Sequence, residues 1–370
     1  MDDKADKAYW VALNLIPGIG QILSHRLLEH FGDPKRIFAV SAKELSRIEG
    51  IGAKLAQEIV SFRWEETVAN ELKQLEKRDI NILTIKDDNY PQLLRAIPTP
   101  PLLLYVLGDI RERDEVALAI VGSRSPTPYG KWAADGLVRA LAEIGFTIVS
   151  GMARGIDSIA HRAALAVGGR TIAVLGCGLG IIYPPENQTL MQKIPHSGAV
   201  VSEFPLFTKP EKLNFPIRNR LISGLSLGVM VIEAAANSGS LITASHALEQ
   251  SREVFAVPGN IQSPKSKGTN GLIKKGAKLV EGIEDVLEEL PITVKERLKG
   301  TKPLSDEETT EGLDPEEKLI FSLITTEGED IDYLVNQSQL PASRIASTLI
   351  MLELKGLIRQ AMGKVFRRKE

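Results

Sequence analysis

The segment Leu118-Ala119-Ile120-Val121-Gly122-Ser123-Arg124 joins a short apolar strand to a turn of small residues that carries an arginine. The arrangement recurs where Thr147-Ile148-Val149 runs into Ser150-Gly151-Met152-Ala153-Arg154-Gly155. A third polar segment, Ile217-Arg218-Asn219-Arg220, precedes a strand at 229–232 and the small-residue loop Ser238-Gly239-Ser240. Because the carboxyl ends of parallel strands meet at one edge of an open sheet, these segments predict a single extended site for a polyanion.

Strands and helices alternate through the middle of the chain, between residues 115 and 290. Apolar runs predict strands near 118–121, 147–149, 171–175, 199–201, 229–232, 254–257 and 278–280, with helical patterns between them. This alternation predicts an α/β fold with a Rossmann-like core, a doubly wound and mostly parallel sheet. The preceding residues, 68–113, are expected to pack on the sheet, so the core domain is placed at 67–290.

The N-terminal residues 1–66 contain one phrase twice, Ile16-Pro17-Gly18-Ile19-Gly20 and Ile48-Glu49-Gly50-Ile51-Gly52. Each copy precedes an apolar helical pattern, which is typical of an all-α helix-hairpin-helix (SAM-like) domain. The glycines permit a tight turn, and the free N–H groups of the next helix can hold a phosphate. The candidate phosphate-binding positions are Gly18, Gly20, Gly50 and Gly52. Such hairpins also serve as packing units, and few basic residues accompany these two.

The C-terminal part of the chain is interpreted as a charged linker at 291–312 and a small domain at 313–370. Asp314 followed by Pro315 and Glu317 is a helix-start signal, with Asp314 as the capping residue. A helix-turn-helix pattern and a short hairpin follow. This order predicts a winged helix.

The composition is that of an ordinary globular protein, with 370 residues, 43% hydrophobic and 25% charged. The formal net charge is -2, so affinity for nucleic acid would have to come from local clusters of Lys and Arg. With no signal sequence and no apolar run of membrane-spanning length, a cytoplasmic protein without membrane contact is expected. The lone Cys177 is interpreted as a small buried thiol and not as a nucleophile.

Two kinds of enzyme are disfavoured by the motifs. A dinucleotide-binding sheet needs G-x-G-x-x-G after its first strand, but Gly122-Ser123-Arg124 stands there. The later Gly176-Cys177-Gly178-Leu179-Gly180 follows a strand without running into a helix. Metal-dependent phosphodiester cleavage needs converging carboxylates, and no D-x-D, H-x-H or H-E-x-x-H spacing is present between residues 115 and 290. No metal site is therefore expected.

Polar residues near the predicted edge are interpreted as supports for the arginines. Asp157 and His161 share one helical face and are expected to order the loop of Arg154. Glu233 ends a core strand and is expected to hold Arg220 in place.

Seven blocks of the core together resemble the DNA-processing protein A family of bacteria (DprA, also called Smf). The blocks are Gly122-Ser123-Arg124 with Tyr129-Gly130, Ser150 to Asp157 with Ala160-His161, Tyr183-Pro184 with Asn187, Ser202-Glu203 with Pro205, Phe215 to Arg220, Ser238 to Ala244, and Arg252 to Gly259. They cover nearly the whole core in the family's order, and the flanking domains match the longer form of the family.

The resemblance implies a protein of natural transformation and homologous recombination that is not an enzyme and takes no cofactor. Such a protein binds single-stranded DNA, forms a homodimer through its Rossmann-like core, and loads a RecA-type recombinase, with single-strand-binding protein as a further partner. Carried over by position, the residues that would bind single-stranded DNA are Gly122, Ser123, Arg124, Ser150, Gly151, Ala153, Arg154, Gly155, Arg218, Asn219, Arg220, Ser238, Gly239, Ser240 and Thr243. Lys274 and Lys275 are basic candidates beside them.

An enzymatic alternative is the lysine-decarboxylase-like family of nucleotide phosphoribohydrolases, whose sheet is similar. Those enzymes carry a Pro-Gly-Gly-x-Gly-Thr turn before a catalytic Glu, whereas this chain has Pro258-Gly259-Asn260-Ile261. Candidates for the dimer face are Leu248 and Leu272-Ile273. The winged helix is expected to contact protein, with weak contact to duplex DNA as the other reading.

Overall fold

The computed structural model describes residues 3–298, 313–325, 328–338, 340–354, 357–361 and 365–368. The chain divides into two compact units, Met1–Lys299 and Gly300–Glu370, and each is described by itself. Most of the predicted linker lies outside the described residues, because the description stops at residue 298 and resumes at 313.

The first unit combines an all-helical N-terminal part with an α/β core. Its N-terminal helices are α1 (Asp3–Leu15), α2 (Gln21–Phe31), α3 (Pro34–Ile37), α4 (Ala42–Leu45), α5 (Ala53–Ser61) and α6 (Trp64–Glu76). The core elements are β1 (Ile80–Thr84), α7 (Gln92–Arg95), β2 (Leu103–Gly108), β3 (Ala117–Val121), α8 (Pro128–Glu143), β4 (Thr147–Ser150), α9 (Ile156–Ala166), β5 (Thr171–Val174), α10 (Gln188–Lys193), β6 (Gly198–Ser202), α11 (Asn214–Gly224), β7 (Gly228–Val231), α12 (Ser240–Glu249), β8 (Glu253–Ala256), α13 (Lys267–Lys274), β9 (Lys278–Leu279), α14 (Ile283–Glu288) and α15 (Ile292–Lys295).

The central sheet has nine strands in the order β1-β2-β6-β5-β4-β3-β7-β8-β9. The strands from β6 to β9 in this order all pair in parallel, which confirms the mostly parallel, doubly wound core. The order reverses at β3, which has β4 on one side and β7 on the other. A reversal of this kind opens a crevice at the carboxyl ends of the strands, where open α/β sheets bind ligands.

The segment before the core contributes two strands of the sheet itself. Strand β1 pairs antiparallel with β2, and β2 pairs antiparallel with β6, with Tyr105 opposite Ser202. The sequence indicates only that this segment packs on the sheet, because β2 is a continuous apolar run without alternation. The structure explains that pattern, since the first four residues of β2 are all buried.

Side chains along the strands alternate between two helical layers. Leu118 and Ile120 of β3 pack in the cluster that contains buried residues of α8, α9 and α14. Ala119 and Val121 pack in the other cluster, with buried residues of α11 and α12. The alternation follows from the two-residue period of a strand. Because α8, α9 and α12 each follow a parallel strand, their amino ends lie at the carboxyl edge of the sheet.

The N-terminal helices form the predicted helix-hairpin-helix pair. Gly18 and Gly50 have φ of 79° and 89°, a conformation that favours glycine, and Gly20 and Gly52 cap α2 and α5. These helices surround a small core of their own that includes Leu27. The whole part is attached to the sheet by hydrogen bonds such as the one from Asn14 Nδ2 to the Glu203 carbonyl oxygen, at 3.2 Å.

The second unit is a winged helix. It contains α16 (Pro315–Leu323), β10 (Glu329–Asp330), α17 (Ile331–Ser338), α18 (Ala342–Leu354), β11 (Ile358–Ala361) and β12 (Val365–Arg368), with strand order β10-β12-β11. Helix α16 begins as the sequence predicts, because the Asp314 carboxylate accepts hydrogen bonds from the backbone N–H groups of Glu316 and Glu317. The Arg344 guanidinium on α18 pairs with Glu316 at 3.0 Å.

Candidate nucleic-acid interface

A cleft of about 760 Å³ opens at the carboxyl edge of the sheet, above the reversal at β3. Three of the sequence motifs meet there: the turn after β3, the polar face of α11 and the loop that opens α12. The lining residues are Val121, Gly122, Ser123, Arg124, Ala153, Asp157, Tyr183, Pro210, Lys212, Phe215, Pro216, Arg218, Asn219, Ile222, Ala235, Ser238, Gly239, Ser240, Ile242 and Thr243. Arg124, Arg218 and Lys212 give the cleft three cations against the single carboxylate of Asp157.

The turn after β3 is locked against the turn after β4. Ile156 N donates to the Ser123 carbonyl oxygen at 3.1 Å, and Ser123 N donates to the Glu233 carbonyl oxygen at 2.7 Å. Gly155 has φ +76°, and a Cβ added to it would lie 2.2 Å from the Ser123 oxygen. This close approach holds the turn in one conformation while the Arg124 side chain stays exposed at the mouth of the cleft.

Arg218 forms the floor of the cleft. Its side chain is buried, and Nη1 donates to the carbonyl oxygens of Gly151, at 2.7 Å, and Val174. Burial lowers the pKa of Arg218 to about 10, and the Asp157 carboxylate opposes this shift, so the guanidinium stays charged at neutral pH. The guanidinium carbons of Arg218 and Arg124 each lie 5.8 Å from the centroid of the Phe215 ring.

Asp157 supports the loop after β4, as the sequence predicts, but His161 does not join it. The Asp157 carboxylate accepts from Ala153 N at 3.2 Å, while burial raises its pKa and Arg218 opposes that rise. His161 lies deeper in α9, where its Nδ1 is 2.7 Å from Thr171 Oγ1. The expectation that both order the Arg154 loop is therefore wrong for His161, because its ring is fully buried against β5.

We predict that His161 makes the fold sensitive to acid. Burial, with Arg218 and Arg162 nearby, lowers the pKa of His161 to about 3 from its usual 6.5. The unfolded chain therefore binds the proton more tightly, so stability is retained above pH 6.5 and falls as the pH drops toward 3. Between pH 6.5 and 5 the wild type should lose about 1.6 kcal/mol more than His161→Gln in urea unfolding. Parallel pH profiles for the two proteins would contradict this.

Ser150 and Arg154 flank the cleft without lining it. Ser150 is buried, and its hydroxyl donates to the Ile120 carbonyl oxygen at 2.6 Å. Arg154 is exposed and pairs with Glu186. It lines a smaller cavity that shares Arg124, Ala153, Tyr183 and Phe215 with the cleft. The two cavities therefore form one continuous trough along the edge of the sheet.

Arg220 does not line the cleft. Its guanidinium is buried on the opposite side of α11, where it pairs with Glu203 and Gln21 and donates to the Thr99 carbonyl oxygen at 2.8 Å. The reason is helical geometry, because residues two apart on a helix point in nearly opposite directions. Glu233 does not hold Arg220 either. Its carboxylate accepts hydrogen bonds from the backbone N–H and the hydroxyl of Thr127.

Lys274 and Lys275 also lie away from the cleft. They end α13, which leads back to β9, and β9 pairs in parallel with β8. The helix of a parallel β-α-β unit runs opposite to its strands, so its last residues lie at the amino edge of the sheet. The proposal that these lysines sit beside the other binding residues is therefore not supported by their position.

The loop that opens α12 places small polar groups at a helix amino end. Ser238 Oγ and Ser240 Oγ are 2.8 Å apart, and nothing lies within 4 Å of the position where a Cβ would stand on Gly239. Leu241 N and Ile242 N donate to the carbonyl oxygens of Ser238 and Gly239, at 3.1 and 3.2 Å. The two hydroxyls and the helix dipole favour an anion at this end. The loop therefore suits a phosphate group.

Sequence reasoning missed the loop Lys209-Pro210-Glu211-Lys212 that precedes α11. Pro210 and Lys212 line the cleft, and Lys212 is exposed. Lys265 was also missed; its Nζ contacts the Ser125 carbonyl oxygen beside the Arg124 turn. The only signal for this loop in the sequence was its position, because the segment after β6 begins at the carboxyl edge of the sheet.

Among the described residues, no group of three or more His, Cys, Asp or Glu side chains is placed to hold a metal ion. Burial raises the pKa of Cys177 to about 11, which does not suit a nucleophile.

Gly20 and Gly52 are exposed at the amino ends of α2 and α5, where glycine provides no side-chain cap. Both hairpin ends are therefore open to solvent.

No helix in the part of the chain that the structure describes is both long and apolar enough to cross a membrane.

Three family models match the chain along its length. "DNA recombination-mediator protein A" matches residues 81–291, "SAM-like helix-hairpin-helix tandem" matches 12–63, and "DprA winged helix domain" matches 305–364. These matches correspond to the three structural parts described above.

Curated and solved relatives agree with the family models. Protein Smf of Synechocystis sp. is 35% identical, over 99% of this chain and 99% of that protein. The X-ray structure of DprA from Streptococcus pneumoniae superposes with a TM-score of 0.69 at 34% identity, covering 77% of this chain and 98% of that one. A DprA structure from Helicobacter pylori, described by its single-stranded DNA binding mode, has a TM-score of 0.51 at 36% identity, covering 56% and 94%.

Proposed function

The chain belongs to the DprA/Smf family of DNA-processing proteins, and from that membership and the cleft we propose that it binds single-stranded DNA along the carboxyl edge of its sheet. The observation that carries the proposal is the convergence of Arg124, Arg218 and Lys212 with the amino end of α12 in one cleft. Arginine forks and helix N–H groups are the protein groups that bind backbone phosphates.

The aromatic residues of the cleft favour single-stranded over duplex DNA. The cleft contains Tyr183 and Phe215, whose ring centroids are 5.7 Å apart, next to the cationic groups. Aromatic rings beside a cationic groove provide surfaces on which unpaired bases stack, and stacking tolerates any base. We therefore infer binding that depends weakly on sequence.

The wider role that we propose is that of a recombination mediator. In this role the protein acts in the cytoplasm without catalytic turnover and forms a homodimer through its core. It transfers the bound DNA strand to a RecA-type recombinase. Single-strand-binding protein would be a further partner in natural transformation or recombination. We assign the winged helix to protein contact. In this proposal the functional domains of the chain are 1–66, 67–290 and 313–370.

Binding measured across a salt series tests the proposal. We expect fluorescently labelled single-stranded DNA to bind more tightly than duplex DNA of the same length. With three cations in the cleft, the logarithm of the association constant should fall with the logarithm of salt concentration with a slope of about -2. Saturable binding of nucleoside monophosphates, with release of free base, would instead support the phosphoribohydrolase alternative.

A further inference from the structure

Phe207 is an exposed aromatic residue outside the cleft. It lies in the segment 204–213 between β6 and α11, and 49% of its surface is exposed. Two further apolar residues of this segment and of the loop after β5 are exposed, Leu213 at 77% and Ile182 at 39%. The guanidinium carbon of Arg78 lies 5.3 Å from the centroid of the Phe207 ring. An exposed ring beside cationic groups provides a stacking surface of the kind that binds single strands.

The glycine-rich loop after β5 holds the backbone around this ring. Gly178 N donates to the Thr208 carbonyl oxygen at 2.9 Å, and Gly180 N donates to the Leu206 carbonyl oxygen at 2.8 Å. A Cβ on Gly180 would lie 2.8 Å from Cε1 of Phe207, so the ring rests directly on this glycine. The glycine motif that does not serve a dinucleotide therefore fixes the position of Phe207.

The segment that carries Phe207 leads directly into the lining of the cleft. Pro210 and Lys212 line the cleft, and Pro210 is three positions after Phe207, so their Cα atoms are at most about 11 Å apart. Lys209 between them is exposed, as is Glu211. With Arg78, Lys209 and Lys212 against Glu211, the local charge is positive, which complements a phosphate backbone.

We propose that Phe207, Arg78 and Lys209, together called the Phe207 platform, form a second stacking site for the same single strand. The proposal rests on the proposed function. It extends the path of the DNA strand beyond the cleft, toward Arg78 after the end of α6. A base stacks on the exposed part of the ring, and Arg78 and Lys209 neutralise the adjacent phosphates. The platform therefore sets the length of strand that the protein covers.

The test compares long and short strands with the full-length protein. Phe207→Ala should lower the affinity for an oligothymidylate of about 15 nucleotides by roughly tenfold, since loss of one stacking ring has an effect of that order. It should leave the affinity for a strand of about 5 nucleotides unchanged, because the cleft alone holds such a strand. Phe207→Tyr should retain the wild-type affinity for both. Trp132→Ala, which removes an exposed ring from α8, is the matched control and should change neither.

A second variant reports directly on stacking. In Phe207→Trp, the added indole fluorescence should be quenched by the long strand and not by the short one, relative to the wild type with its three tryptophans. Equal loss of affinity for both lengths in Phe207→Ala would assign the ring a purely structural role and overturn the proposal. Unchanged affinities with an altered mass in solution would make the platform a subunit contact instead. Wild-type protein that binds neither strand would refute the proposed function itself.

Discussion

Arg124→Ala should abolish most of the affinity for single-stranded DNA while leaving the fold intact. The side chain is exposed at the mouth of the cleft, so its removal creates no cavity and no buried unpaired group. A hydrogen-bonded phosphate contact from a guanidinium is worth about 1.5–3 kcal/mol, so affinity should fall roughly 10- to 100-fold. Fluorescence anisotropy with labelled oligothymidylate measures the loss.

The salt dependence separates a lost phosphate contact from a general disturbance. Removing one contact to a single strand should reduce the salt slope of the association constant by about 0.7, and thermal unfolding should not shift. The matched control replaces Lys274 and Lys275 with alanine, which removes two exposed cations at the other edge of the sheet. If this control loses as much affinity as Arg124→Ala, or if Arg124→Ala binds normally, the cleft is not the DNA site.

The location of the cleft could be predicted from the sequence because it follows from a rule of topology. Apolar strands that each end in small residues and an arginine must bring those turns to one edge of a parallel sheet. The structure places the Gly122–Arg124 turn, Arg218 and the Ser238–Ser240 loop around one cleft as this rule requires. Only the types of residue and their place after a strand were needed.

The direction of individual side chains was harder to predict. Arg218 and Arg220 stand in one motif, yet the helical period sends one to the cleft and the other to Glu203. Lys274 and Lys275 are close to the motifs along the chain and at the opposite edge in the fold. Lys212 could not be recognised because a loop has no periodicity that fixes where its side chains point.

Pairing at the edge of the sheet was also beyond the reach of local patterns. Strand β2 joins β6 in antiparallel fashion across about a hundred residues of sequence, as Tyr105 opposite Ser202 shows. A single apolar run does not indicate which strand it will pair with in the sheet. A fully buried run also lacks the alternation that identifies a strand. Such pairings depend on the assembled sheet.

Gly155→Ala should be the most damaging small substitution in the cleft region. Gly155 has φ +76° and ψ -125°, a conformation that is essentially restricted to glycine. A Cβ there would also lie 2.2 Å from the Ser123 oxygen and 2.7 Å from the Arg124 carbonyl carbon. Backbone strain and this clash together should lower the free energy of unfolding by at least about 3 kcal/mol in urea titrations. The Arg124 turn must move to relieve the clash, so DNA affinity should fall with stability.

Gly168→Ala separates the two causes at the other end of the same helix. Gly168 has a similar φ of +69°, but nothing lies within 4 Å of the added Cβ, so only the cost of the left-handed conformation, about 1 kcal/mol, should appear. Its DNA affinity should stay at the wild-type value because the Arg124 turn is untouched. Equal destabilisation by the two substitutions would show that the contact between the turns contributes nothing. A larger loss in Gly155→Ala, accompanied by weaker DNA binding, would make that contact the element that holds Arg124 in its binding position.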